Sequence, residues 1–239
     1  MDAGRRWALE IFGQYGPLVR EQIAEMVKAE HLASADAQEA SGHRSQGVYG
    51  EFWRGIMEKF EQLGDLPGAA LVRPGEAPYK LAVVNGVAIF PWRFARSRET
   101  ELTSTPFGTS GARVAAFKLR ASVQESLDLN VPDAGLSDED REILSTFQNA
   151  TADPVVSSGR LVLIAISSSP RGLFSAEWGE VSLNAAGCLD WAGFHESLLS
   201  LPESKPVSTS PTGSFTTGEV PPKFPQAKPQ QEADNRTDE

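Results

Sequence analysis

A single cysteine, Cys188, stands in 239 residues. No internal disulfide can form, which fits a reducing compartment. Histidine is nearly as scarce: His31, His43 and His195 show no ligand spacing, and Cys188 lies apart from all but the last. A structural zinc site needs four ligands, and the sequence offers no such cluster. Long apolar runs are missing from the amino terminus. MDAGRRWALEIFGQYG carries two arginines with no extended apolar stretch behind them, so it reads as neither a secretory signal nor a membrane span. The expectation is a cytoplasmic protein with no cofactor and no membrane partner.

Catalytic signatures are absent as well. Neither G-x-x-x-x-G-K-[ST] nor G-x-G-x-x-G occurs, and GTSG at 108–111 lacks the spacing of a nucleophile elbow. Cys188 beside Asp190 and His195 sits at a turn with no electropositive feature around it, so it reads as a half-buried thiol. The D/E-x-K pattern of metal-dependent nucleases appears only as Glu203-Ser-Lys205. An enzyme would have to use dispersed carboxylates such as Glu51, Asp65 or Glu180.

What is present is a change of period along the chain. Residues 1–65 read as helical. Trp7, Ala8, Ile11, Phe12 and Tyr15 recur at helical spacing, then Gly16-Pro17 opens a second helix striped by Val19, Ile23, Met26 and Val27. ASADAQEASGHRSQG reads as a loop. A third helix over about 47–63 carries Tyr49, Phe52, Trp53, Ile56, Phe60 and Leu63.

Residues 66–200 read as a mixed, sheet-containing part that packs with the helices as one unit. AALVR, YKLAVV and VAIFPWRF alternate as strands, with Asn85-Gly86 as a type I′ turn. That turn sets Val84 against Val87 and Val83 against Ala88. One face then collects Tyr79, Leu81, Val83, Ala88, Phe90 and Trp92, and the other Lys80, Ala82, Val84, Val87, Ile89 and Pro91. Two apolar faces predict a sheet covered on both sides. ARVAAFKLR reads as a strand, and LSDEDREILSTFQNA as a helix with Ser137 and Asp140 in a capping box. RLVLIAIS is a buried strand and FHESLLSL a closing helix. Residues 201–239 are rich in Pro, Ser, Thr and Gln, contain P-x-x-P, and read as a disordered tail. The fold class is α+β, with amino-terminal helices on a mostly antiparallel sheet.

EIFGQYGPLVREQIAEMV, followed by a third helix and the hairpin ALVRPGEAPYKLAVV, resembles the winged-helix family in element order over residues 5–84. The resemblance implies a third helix that enters a major groove and a wing that touches backbone. Glu51, Glu58 and Glu61 on the third helix suit a protein-contacting module equally.

Charge is unevenly spread. The chain carries a formal net charge of -10, yet residues 66–120 hold eight Lys/Arg against three Asp/Glu, while 121–200 hold three against twelve. Arg73, Lys80, Arg93, Arg96, Arg98 and Arg171, with Trp92 among them, form a basic and aromatic strand-end surface. SSSPRG at 167–172 adds hydroxyls beside Arg171. Arginine grips phosphate and stacks on bases. The alternative use of these arginines is to pair with the acidic 121–200 block. The expected function is a non-catalytic adaptor or regulator that contacts a protein or a nucleic acid through this surface. The other readings are a hydrolase or nuclease with dispersed carboxylates and a structural subunit of a larger complex.

Overall fold

The computed structural model describes residues 2–117, 119, 136–150 and 160–200. The first helix, α1 (Ala3–Phe12), starts where the Asp2 carboxylate accepts from the Arg5 amide at 3.0 Å. It ends at Gly13, which takes a φ of 64°. A short 3-10 turn leads to α2 (Gly16–Ser41), with Pro17 in its first turn. Gly16 lies directly on the Ala8 carbonyl, where a Cβ would collide, so the two helices meet at backbone distance. The third helix, α3 (Phe52–Glu61), buries Phe52, Ile56, Met57 and Phe60.

Six strands follow: β1 (Ala70–Val72), β2 (Leu81–Val84), β3 (Val87–Ala95), β4 (Arg160–Ser169), β5 (Gly172–Leu183) and β6 (Leu189–Ser197). They lie side by side in chain order, and every neighbouring pair is antiparallel except β3 with β4. A parallel pair needs a crossover. Its described parts are helix α4 (Gly111–Ala116) and helix α5 (Asp138–Ala150). The fold is therefore α+β with a mostly antiparallel sheet.

Alternation along the central strands makes two cores. Ala82, Val84, Val87, Ile89, Val162, Ile164 and Ile166 face α1, α2 and α3, against Trp7, Phe12, Ile23, Phe52 and Phe60. Leu81, Val83, Ala88, Phe90, Trp92, Leu161 and Leu163 face the other way, against Leu102, Phe107, Ala116 and Leu119. The hairpin faces are those that the Asn85-Gly86 turn dictates. Val84 pairs with Val87 and Val83 with Ala88, with φ of 50° at Asn85 and 75° at Gly86. The β1–β2 hairpin, on which the winged-helix resemblance rests, is the outer edge of the six-stranded sheet.

Three elements differ from the sequence expectation. First, α2 runs on to Ser41 before Gly42 caps it at φ 63°. Its last turns are Ala-, Gln- and Glu-rich, and such residues sustain a helix. Gln38 then holds the following turn, donating to the His43 and Ser45 carbonyls at 3.0 and 2.9 Å and accepting from the Tyr49 amide at 3.1 Å. Second, residues 111–116 are helical rather than extended, because alanine favours the helix when no strand partner is supplied. Third, His195 to Ser197 complete β6 instead of opening a helix, since β5 pairs with them as far as Glu177 opposite Ser197. A 3-10 turn, Leu198–Ser200, then follows. The capping box at α5 forms as expected. Ser137 Oγ accepts from the Asp140 amide at 3.2 Å, and Asp140 accepts from the Ser137 amide at 2.9 Å.

The described residues up to Ser200 belong to one compact unit. The 201–239 tail, with its P-x-x-P and Glu203-Ser-Lys205, lies outside the described residues. No helix among the described residues is long and apolar enough to cross a membrane.

Ion pairs fasten the helices to the sheet. Arg5 reaches Asp140 through two nitrogens at 3.0 and 2.7 Å. That guanidinium, aided by Ser137, holds the Asp140 carboxyl at about 2. Arg20 of α2 grips Glu196 of β6 through two contacts of 2.7 Å and donates to Asp2 at 2.8 Å. The Trp178 indole donates to the same Glu196 at 2.8 Å, and Gly4 leaves the space that this carboxylate occupies. Removing Glu196 leaves the nearly buried Arg20 with Asp2 alone and the Trp178 indole N–H without its acceptor. Glu196→Ala should therefore lower stability by about 3 kcal/mol, read as a fall in urea midpoint. A midpoint within error of the parent would mean that water replaces the carboxylate without cost.

Candidate functional site

The carboxyl ends of β3 and β4 lie side by side, and the pairing on both sides of β4 changes register there. The extra residues are Phe94 on β3, between the partners of Ile166 and Ser167, and Phe174 on β5, between the partners of Ser167 and Ser168. Bulges re-aim side chains at the rims of sheets, and ligands in sheets with parallel strands favour the carboxyl ends. Strand pairing also brings the basic residues to this one end. Arg96 and Arg98 follow β3, and Arg171 sits in the β4–β5 turn. Arg73 follows β1, and Lys80 precedes β2. Arg73, Lys80, Arg96, Arg98 and Arg171 are exposed. Trp92 is 7% exposed in the core beneath Arg113, whose guanidinium lies 5.3 Å from its ring centre. It therefore serves packing rather than the surface.

Arg93 faces the helices and is only half-buried. Its Nε donates to the Ser168 carbonyl at 3.1 Å, and its guanidinium lies 4.8 Å from the centre of the Tyr49 ring. Burial pulls this guanidinium below its ordinary pKa. The neighbouring Arg96 adds to that pull and Tyr49 opposes it. The Tyr49 hydroxyl shares a 2.7 Å hydrogen bond with His31 Nδ1, and both side chains are buried. Burial pushes the phenol up and the imidazole down, and the Arg93 charge pushes the imidazole down further.

Beside this group the serine run is mostly engaged internally. Ser167 Oγ donates to the Ser97 carbonyl at 2.6 Å, and Ser169 Oγ accepts from the Arg171 amide at 3.2 Å. Ser168 Oγ is fully buried and makes no hydrogen bond, although it stands near enough to Tyr49 to favour the ionised phenol slightly.

On the opposite face of the same strand end is a cavity of about 310 Å³. It is open to solvent on one side, and its lining includes buried Ala165 of β4, half-buried Phe94 of β3, Glu177 of β5 and Trp191 of β6, and exposed Arg98 and Glu101. A small residue at 165, between Leu163 and Ser167 on that face, leaves the space open. Arg98 also lies 5.7 Å from the centre of the Phe174 ring.

Several cations elsewhere are paired, Arg5 with Asp140, Arg20 with Glu196, and Arg160 with Glu180 at 2.8 Å, whereas the half-buried Arg113 lies over Trp92 and Phe107 with no carboxylate partner among the described residues. At the strand end, Arg93, Arg96 and Arg171 have no carboxylate partner among the described residues. The acidic α5 pairs with Arg5 of α1 rather than with these arginines.

The candidate carboxylates of an enzyme do not converge in the structure. Glu180 is held by Arg160, Glu51 pairs with Arg54 at 3.2 Å, and Asp65 closes the 3-10 turn after α3. Among the described residues no group of three or more His, Cys, Asp or Glu is placed to hold a metal ion. Cys188 is buried, Asp190 accepts from Asn184 at 3.1 Å, and His195 stacks on Trp191 at 4.9 Å. Sequence reasoning assigned Tyr49 to an apolar stripe and left His31 as a scattered histidine. The available signal was His31 four residues after Val27, which places it on the buried stripe of α2. Glu177 and Trp191 carried no signal, because only the β5–β6 pairing brings them to the cavity.

The depressed His31 pKa has a defined sign. A neutral imidazole in the fold means that the unfolded chain takes up a proton first as pH falls below the ordinary 6.5, so stability declines on acidification through that value. Removing the Arg93 charge should raise the His31 pKa, and an NMR titration of Arg93→Gln reads this directly. An unchanged midpoint would separate the two residues electrostatically. No family model, curated protein or solved structure matches this chain, so the chemistry of the site rests on its own residues.

Proposed function

We propose that this is a non-catalytic binding protein whose basic strand end takes a polyanionic partner, with single-stranded nucleic acid as the chemistry that fits best. The carrying observation is the contrast in pairing. Arg5, Arg20 and Arg160 are held by carboxylates, while the strand end gathers three arginines, Arg93, Arg96 and Arg171, that have none among the described residues; Arg113, also without one, is covered by the Trp92 and Phe107 rings instead. A half-buried guanidinium without a counter-charge favours an incoming anion, because part of its desolvation is already done.

The formal net charge of -10 would repel a polyanion from the rest of the surface, so approach is steered to this end. Phosphates spaced along a strand suit several arginines spread over neighbouring strand ends. The half-buried Phe174 ring beside Arg98 offers aromatic surface to a stacked base.

The test is fluorescence anisotropy of a labelled single-stranded DNA, titrated with the protein at low and then moderate salt. Binding should weaken steeply as salt rises. The variant Arg96→Ala/Arg98→Ala/Arg171→Ala changes only exposed side chains, so the fold should hold. It should lose at least about tenfold in affinity and flatten the log–log salt slope by about 2, at roughly 0.7 per phosphate contact. Unaltered affinity and slope in that variant would remove the strand end as the binding surface. No binding at any salt, with capture of an acidic protein instead, would replace the nucleic acid with a protein partner.

A further inference from the structure

The geometry points to a nucleobase site in the cavity on the far side of the strand end, selective for a base whose edge donates two adjacent hydrogen bonds, as guanine does. This inference rests on the polyanion-binding reading above. The cavity joins that surface through Arg98, which belongs both to the basic end and to the cavity wall.

The lining is chemically mixed in a way that a phosphate pocket is not. Phe94 and Trp191 give it aromatic surface, while half-buried Glu177 on β5 and exposed Glu101 give it two carboxylates. The half-buried Glu177 carboxylate repels a phosphate, so the part of the ligand beside it must be uncharged or cationic, and it must donate hydrogen bonds. Aromatic surface favours a flat ring. Arg98, exposed, favours an anionic group on the solvent side. A nucleotide in a strand has this polarity, with a base at one end and a phosphate at the other.

Size and placement agree with this assignment. A volume of about 310 Å³ is at the small end of ligand pockets. Ala165 opens it at the centre of the sheet, where β4 pairs with Glu177 of β5. Glu177 stands directly opposite Ala165 on the same sheet face and is half-buried, so its carboxylate is available to the edge of a ring that enters beside Ala165. Guanine presents its N1–H and N2–H side by side to such a fork. Thymine presents one N–H between two carbonyl oxygens, which a carboxylate repels.

The probe is a pair of labelled single-stranded 12-mers, one all thymidine and one with guanosine at the central positions, titrated by anisotropy at one salt concentration. The guanosine strand should bind about tenfold tighter. Glu177→Gln should erase this preference while leaving the thymidine strand bound as before, because the arginines are intact. Ala165→Leu should fill the space beside Glu177 and bring the guanosine strand down to the thymidine level, with circular dichroism and melting temperature checking the fold. Should Ala165→Leu fail to fold, Glu177→Gln still decides. Equal affinities for the two strands, with salt-dependent binding preserved, would overturn the base site and leave the polyanion-binding function standing. So would a guanosine preference that survives Glu177→Gln. No binding of either strand would overturn both.

Discussion

A pair of parallel strands covered on both faces has no place for charge except at its ends. Residues 161–166 of β4 are buried throughout, with Val162, Ile164 and Ile166 against the helices and Leu161, Leu163 and Ala165 against the crossover side. Polar chemistry therefore collects where the apolar run stops. At the amino end of β4, Arg160 meets Glu180 and is neutralised. At the carboxyl end, three buried serines and a group of arginines follow, and the strands on either side of β4 each carry an extra residue there. The site is a consequence of how the core ends.

The same constraint explains which parts of the fold were legible in the sequence. Alternation with a period of two fixes faces once one turn is known, and Asn85-Gly86 supplied that turn. Both hairpin faces and the covered sheet followed from it. The capping box of α5 was legible because it is local to Ser137 and Asp140. Parallel pairing of β3 with β4 was not, since it depends on a crossover that spans 64 residues from Arg96 to Gly159. Residues 111–116 misled for a related reason: they read as a strand, but among the described residues no strand pairs with them.

The candidate site divides along the same line. Arg93, Arg96, Arg98 and Arg171 were visible as a charge anomaly, because composition is local. The group formed by His31, Tyr49 and Arg93 was hidden, since its members come from α2, the turn before α3, and β3. The cavity was hidden further still. Its members span β3, the segment after it, β4, β5 and β6, and its opening depends on an alanine that reads in sequence as one more core residue.

Charge pairing gives the surface its direction. Carboxylates outnumber cations in the chain, so an unpaired arginine is not forced by any shortage of acid. Asp2, Asp140, Glu180 and Glu196 are each placed on a cation elsewhere in the fold. Two more acids, Glu101 and Glu177, do come to the strand end, yet they line the cavity. Arg93, Arg96 and Arg171 remain without a carboxylate among the described residues. The arrangement thus places cations on the helix side and at the exposed rim, with the Glu177 carboxylate half-buried in the pocket. That order repels an anion from the inner position and attracts it at the outer one, which gives an incoming strand an orientation as well as a place to bind.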